Sequence, residues 1–128
     1  MSTIFVGIDV SSAKLDVCIN QNKGLNENLK FEVFENSLDG INKLTKSLLK
    51  FEMTKINIIL EATGSCHWLV SLILKDAGFV VKVINPIITK KYQRASIRGS
   101  KTDKIDSQRL TEIGIIEELK NLPDFADS

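Results

Sequence analysis

The feature that most constrains the fold is an almost uninterrupted apolar segment near the start of the chain, Thr3 to Val10 (TIFVGIDV). Its β-branched content predicts a strand, and the absence of alternation with polar residues predicts that both faces of this strand are buried. Such a strand needs a sheet that is covered on both faces, so we predict an α/β architecture with this strand at its centre. Asp9 lies at the carboxyl end of the strand.

The next two segments predict strands joined by hairpins. Residues 15–20 (LDVCIN) alternate, with Asp16, Cys18 and Asn20 on the side opposite the apolar residues, which predicts a half-exposed second strand. A polar, turn-rich connection at 20–28 leads to a third strand at 29–35, and an antiparallel return is the economical arrangement.

The remainder of the chain alternates between helical and strand patterns. We predict helices at 38–49, 66–76, 87–95 and 102–119, a loop at 96–100, and strands at 56–60 and 79–84. Three strands joined by hairpins, followed by two strands that are each preceded by a helix, predict a five-stranded mixed sheet with helices on both faces. The ribonuclease H-like fold has this order of elements.

Composition limits the class of protein. A chain of 128 residues, 43% hydrophobic and 26% charged, predicts one globular domain. No apolar run approaches the roughly 18 residues of a membrane helix, and the N-terminus shows no secretory leader, so we expect a cytoplasmic protein without membrane association. Cys18 and Cys66 lack the spacing of a zinc site or a disulfide framework.

Charge is unevenly distributed along the chain, although the net charge is only +1. The segment from Lys82 to Arg109 contains eight Lys or Arg residues but only two acids, Asp103 and Asp106. Such asymmetry predicts a local surface that faces phosphate groups, while a solvated helix face is the alternative.

Asp103 and Asp106 are three residues apart, so on a helix they would lie on the same face. A divalent cation between them would remove the repulsion between their carboxylates. The alternative is that both acids favour the start of the helix, with Ser100 or Thr102 as its N-cap.

Asp9 and Glu61 each end a strand predicted to be parallel and central. The carboxyl ends of neighbouring strands form the usual ligand site of an open α/β sheet, and acids buried there require a cation. Two alternatives stay open: Asp9 could cap the turn at residues 11–12, and Glu61 could pair with a lysine such as Lys14.

Together the four acids predict a site for Mg²⁺ or Mn²⁺, which prefer carboxylate and water ligands. Two such ions about 3.5 to 4 Å apart would suit phosphodiester displacement. In that arrangement Asp9 is the candidate for the ligand that bridges both ions.

Four motifs then carry a resemblance to a family. They are GIDVSSAKLDV at 7–17, EATGSCHWLVSLILKDAG at 61–78, VINP at 83–86 and KTDKIDSQRL at 101–110. In this order they closely resemble the catalytic N-terminal domain of DEDD-type insertion-sequence transposases, which include Piv-like DNA invertases and recombinases directed by a bridge RNA.

The resemblance implies a RuvC-like, ribonuclease H-type fold with a Mg²⁺-binding catalytic tetrad of Asp9, Glu61, Asp103 and Asp106. It also implies binding of DNA and of a structured noncoding guide RNA. The basic residues that it makes candidates for nucleic-acid contact are Lys90, Lys91, Arg94, Arg98, Lys101, Lys104 and Arg109.

The chain departs from the family pattern in its extent. Family members continue into a coiled coil and a second domain with a serine nucleophile, so we expect residues 1–122 to be the catalytic domain and 123–128 a tail toward those parts. The serine role is therefore not assigned within this chain. We expect a homo-oligomer in the full-length protein and no recombination by the isolated fragment.

Three other functions remain as alternatives. A noncatalytic module for nucleic-acid binding or oligomerisation would use the basic surface without a loaded metal site. A Holliday-junction resolvase-like nuclease is a nearer relative of this chain, but the EATG and KTDxxD motifs of this chain distinguish it from such a nuclease. An actin-like ATPase or sugar kinase shares the first strand and turn, but the chain contains neither the second lobe nor the Gly-rich adenosine motif of those proteins.

Overall fold

Five strands, two helices and one further helical segment make up the described part of the chain. The computed structural model describes residues 4–21, 29–52, 55–62, 64–85 and 107–113. The elements are β1 (Ile4–Val10), β2 (Lys14–Asn20), β3 (Leu29–Glu35), α1 (Leu38–Leu48), β4 (Ile56–Glu61), α2 (Trp68–Asp76) and β5 (Val80–Ile84). Residues 107–113 form the further helical segment.

The strands form one sheet in the order β3-β2-β1-β4-β5. β1 pairs antiparallel with β2, and β2 pairs antiparallel with β3. β4 is parallel to β1, and β5 is parallel to β4. The predicted mixed sheet with β1 at its centre is therefore confirmed, and the carboxyl ends of β1, β4 and β5 lie at one edge, called here the carboxyl edge.

One face of the sheet is covered by α1 and α2. Fully buried side chains from the helices, such as Ile41, Leu44 and Leu74, share one cluster with Ile8 and Ile58 of the two central strands. Burial of an aliphatic side chain of this size stabilises a fold by about 2 kcal/mol. This cluster is the main hydrophobic core of the described residues.

The opposite face is covered by the helical segment 107–113. Leu110 and Ile113 form a second buried cluster with Phe5, Ile59 and Ile84 from the three parallel strands. The chain therefore returns to the sheet after the parallel strands and closes its second face. This confirms the prediction that helices lie on both faces.

Gly7 in the middle of β1 permits this close approach. A Cβ atom at Gly7 would overlap the carbonyl oxygen of Ser107 and would lie 2.9 Å from the Cβ of Leu110. Real Cβ atoms do not approach other heavy atoms this closely, so only glycine allows the segment to lie directly on β1.

The prediction that the second strand is half exposed is wrong. Residues 15–20 of β2 are all buried, including Asp16 at 6% exposure. The helical segment 107–113 supplies the cover for this face of the sheet. The local alternation of the strand cannot reveal an element that lies about ninety residues later in the chain.

The helix ends follow from local sequence. Ser37 caps α1, and its Oγ accepts a hydrogen bond from the Gly40 backbone N–H at 3.0 Å. Gly78, which follows the end of α2, has φ 102°, a conformation that glycine adopts readily. Within the described ranges, no helix has both the length and the apolar character needed to cross a bilayer.

The contribution of the Ser37 cap to stability can be measured by mutation. Ser37→Ala is expected to lower the free energy of unfolding by about 1 kcal/mol, because the Gly40 N–H loses its side-chain acceptor. Urea unfolding followed by circular dichroism measures this change. Asn42→Ala, at an exposed position of the same helix, should not destabilise the protein, and equal losses in both variants would contradict the role of the cap.

Candidate functional site at the carboxyl edge of the sheet

Asp9 and Glu61 lie on adjacent strands at the carboxyl edge. The register pairs Ile8 of β1 with Leu60 of β4, so the next residue of each strand brings these two acids side by side. Asp9 is on the same face as Gly7, and Glu61 is on the same face as Ile59, because side chains two residues apart share a face. Both acids are therefore on the face covered by the helical segment 107–113.

A third acid, Asp16, joins this face and was not predicted as a site residue. It lies directly opposite Asp9 in the antiparallel pairing of β1 with β2. Its carboxylate pairs with the ammonium of Lys14 at 3.6 Å, and only 9% of the Asp16 side chain is exposed. The register between the two hairpin strands would have been the signal for it, since the acid alone resembles an outward-facing polar residue.

Hydrogen bonds hold the loops at the carboxyl edge together. The Asn36 side-chain amide donates to the carbonyl oxygen of Ser11 at 2.7 Å and to that of Cys66 at 3.2 Å. Ser11 closes the turn after β1 through its Oγ, which donates to the carbonyl oxygen of Lys14 and accepts from the Lys14 backbone N–H. These bonds fix the loops that follow both acid-bearing strands.

The helical segment 107–113 is attached to the same face by polar contacts as well. Thr111 hydrogen bonds with the thiol of Cys18, which is fully buried on β2. Ser107, the first residue of the segment, lies over Gly7, two residues before Asp9. Asp103 and Asp106 lie outside the described residues, and Asp106 immediately precedes Ser107 in the sequence.

Burial of Cys18 predicts a pH dependence of stability. The pKa of the Cys18 thiol is raised from 9.0 to about 12, mainly because the thiol is removed from water; the hydrogen bond with Thr111 opposes this rise, and the nearby charge of Glu112 adds to it. A pKa raised in the folded state favours the neutral thiol, so this stabilisation is complete below pH 9 and is lost as the pH rises toward 12.

Urea unfolding between pH 8 and 11 should therefore show stability falling above about pH 9. Cys18→Ala removes the titrating thiol and should flatten this part of the curve relative to the unchanged chain. Parallel curves for the two proteins would show that Cys18 does not contribute.

Of the seven predicted nucleic-acid contacts, the structure describes only Arg109. Arg109 is buried, with 8% exposure, on the segment that covers the sheet. Buried arginines are nearly always paired, so this position favours an internal role for Arg109 over an exposed contact. The other six lie outside the described residues, and their contacts remain predictions.

His67 and Trp68 are neighbours at the start of α2 but differ in environment. His67 is buried, and its Nδ1 has no hydrogen-bond partner among the residues that the structure describes; removal from water lowers its pKa. Trp68 is 67% exposed at the start of α2. Leu72, four residues later, is equally exposed, so both side chains are on the face of α2 opposite the buried Val70 and Leu74.

The donor chemistry at the carboxyl edge fits a divalent cation. Asp9 and Glu61 are half-buried oxygen donors on adjacent strands, and a cation would relieve the repulsion between their neighbouring carboxylates. Mg²⁺ and Mn²⁺ prefer such ligands and water. Among the described residues, no group of three or more acids, histidines or cysteines is close enough to hold a metal, so the described part provides two members of the predicted tetrad.

Comparisons with known proteins agree with this arrangement. The family model for DEDD transposases of the IS110 type, described as a transposase, matches residues 6–127. The pilin gene-inverting proteins of Moraxella lacunata and Moraxella bovis are each 29% identical over 125 residues, 91% of the chain. The match spans only 36% of the length of these relatives.

Solved structures show the same fold. RuvC of T. thermophilus, solved in complex with a Holliday junction substrate, superimposes with a TM-score of 0.65 and 13% identity, over 94% of this chain and 98% of the other. A second Thermus thermophilus RuvC structure gives a TM-score of 0.63 over 90% of this chain and 94% of the other.

The mixed sheet with acids at its carboxyl edge defines a RuvC-like domain of ribonuclease H type. With the family match across nearly its whole length, the chain belongs to the DEDD transposases of the IS110 type.

Proposed function

We propose that this chain is the catalytic domain of a DNA recombinase that cleaves phosphodiester bonds and transfers strands with Mg²⁺ or Mn²⁺, using two ions. Asp9, Glu61, Asp103 and Asp106 form the proposed metal site. The proposal rests on family membership and on the two acids that the sheet brings together.

The observation that carries this proposal is the docking of segment 107–113 against β1. Ser107 lies over Gly7, and Asp9 is two residues farther along the same strand on the same face. Asp106 is covalently bonded to Ser107, and successive Cα atoms are about 3.8 Å apart. The contact therefore supports a site in which acids from the end of the chain join acids from the strands.

The protein residues would bind, orient and exclude water at this site. The carboxylates of the tetrad would hold the ions, and the hydrogen bonds of Asn36 would keep the strand-end loops in place. Bound Mg²⁺ would lower the pKa of an attacking water or hydroxyl and stabilise the leaving oxygen. Buried apolar clusters pack on both faces of the sheet that carries Asp9 and Glu61.

The substrate and partners belong to the same proposal. DNA would be the substrate, and a structured guide RNA would be bound in addition, with the basic residues between Lys90 and Lys104 as phosphate contacts. The full-length protein would act as a homo-oligomer. The serine nucleophile implied by the resemblance would come from the part of the protein outside this chain, and the isolated chain would not complete recombination.

The test is recombination by the full-length protein with alanine at Asp9 or at Asp106. Each variant is expected to lose recombination while keeping its thermal stability, because each loses one carboxylate of the site. Asp39→Ala, which removes an exposed acid of α1, is the matched control and should remain active. Intact recombination in both tetrad variants would contradict the metal role.

A noncatalytic role is the second candidate, because the chain spans only 36% of its curated relatives. In that case it would bind nucleic acid or mediate assembly without a loaded metal site. Calorimetric titration of the chain with RNA or DNA distinguishes the two functions. Binding that is unaffected by Mg²⁺ and by replacement of the tetrad would favour the noncatalytic role.

A further inference from the structure

Asp16 is a buried acid directly beside a member of the proposed metal site. It is buried at 6% exposure on β2 and lies directly opposite Asp9. Side chains at directly opposite positions of an antiparallel pair have Cβ atoms about 5 Å apart, and like charges there are destabilising. Burial strengthens this repulsion, because the surrounding dielectric is lower than that of water.

The Lys14 ammonium weakens this repulsion, but the Asp9 and Asp16 side chains remain at directly opposite positions. Its ammonium pairs with the Asp16 carboxylate at 3.6 Å, and 46% of the Lys14 side chain is exposed. A half-exposed lysine is a flexible cation whose attraction is partly screened by water. Two carboxylates, those of Asp9 and Asp16, therefore lie side by side at this corner of the carboxyl edge, and Lys14 contacts the one on β2.

We propose that Asp16 is a positioning residue for the metal site, an inference that rests on the proposed function. Its carboxylate, already engaged by Lys14, acts through water bound to the cation that Asp9 holds, and it raises the affinity of the site for that cation. Mg²⁺ and its analogues retain several water ligands in proteins, and carboxylates that orient such ligands are common partners. Lys14 has the opposite effect, because it competes for the same carboxylate and adds positive charge.

Opposite roles predict changes of opposite sign in metal affinity. Asp16→Asn keeps the shape of the side chain and removes its charge, so the affinity for Mn²⁺ is expected to fall about tenfold. Lys14→Met keeps much of the aliphatic stem and removes the competing cation, so the affinity is expected to rise about threefold. A purely structural ion pair would not produce this pair of opposite changes.

The experiment is calorimetric titration of the 128-residue chain with Mn²⁺ at low ionic strength, with the melting temperature of each variant recorded. Asp39→Asn and Lys43→Met are the matched controls, because these residues form an exposed ion pair on α1, at 3.4 Å. Neither control should change the affinity for Mn²⁺. If Asp16→Asn does not fold, the sign of the Lys14→Met change decides.

The outcomes separate this inference from the proposed function. Mn²⁺ binding that is lost in Asp9→Asn but unchanged in both Asp16→Asn and Lys14→Met would overturn the role of Asp16 and leave the metal site standing. An affinity that falls in Lys14→Met would also overturn it. Failure of the unmodified chain to bind Mn²⁺ would overturn both proposals.

Discussion

Replacement of Gly7 by alanine is expected to detach the helical segment 107–113 from the sheet. The new Cβ would overlap the Ser107 carbonyl oxygen and press against Leu110, and backbone on both sides leaves neither strand nor segment free to yield. We expect a loss of about 3 kcal/mol in the free energy of unfolding, near the top of the range for overpacking. Amide hydrogen exchange should show lost protection at residues 107–113.

Gly64→Ala is the control for this prediction. Gly64 has φ 54°, and a Cβ there would have no heavy atom within 4 Å, so alanine costs only the strain of the left-handed backbone, about 1 kcal/mol. Its effect should be confined to the loop before α2. Unchanged exchange protection at residues 107–113 in Gly7→Ala would contradict the close packing of this segment on β1.

Replacement of Asp9 by asparagine is expected to have the largest effect on metal binding. Asparagine keeps the size of the side chain but removes the charge of the residue that is proposed to bridge both ions. We expect the affinity for Mn²⁺ to fall on the order of 100-fold. Replacement of residues that only support a ligand lowers metal affinity by up to about 100-fold, and loss of a direct ligand should cost at least as much. Calorimetric titration of the 128-residue chain measures this loss.

Although Asp9→Asn should lower the affinity for Mn²⁺, it should raise the free energy of unfolding of the metal-free chain. Asp9 faces Asp16 directly, so removal of one charge relieves repulsion and should stabilise the metal-free chain by about 0.5 kcal/mol. Asp39→Asn, at an exposed acid, should change neither quantity. A variant that loses both metal affinity and metal-free stability would indicate a damaged fold, and an unchanged affinity would exclude Asp9 as a ligand.

Much of the fold could be predicted from the sequence, because the decisive patterns are local. The apolar run through β1 and the alternation in β2 specify strands, and the helical spacing after Ser37 specifies α1. Their order limits the topology to few choices. Asp9 and Glu61 could be placed at one edge for the same reason, since the carboxyl ends of adjacent parallel strands meet there.

The features that escaped prediction depend on contacts between distant parts of the chain. Asp16 resembles an outward-facing acid until segment 107–113 covers its face, and the buried position of Arg109 depends on the same contact. The exposure of Trp68 depends on which face of α2 meets the core. Periodicity within one element reports how many faces are apolar but not which distant element covers each face.

One metal site is proposed to join the strand-end acids Asp9 and Glu61 to Asp103 and Asp106. Anomalous diffraction from crystals of the chain grown with Mn²⁺ would locate the ion. We expect an anomalous peak at the carboxyl edge, about 2.1 Å from oxygen atoms of Asp9 and within the same coordination sphere as acids of the second pair. Mn²⁺ bound elsewhere, or bound to Asp9 and Glu61 with Asp103 and Asp106 remote from it, would contradict the claim.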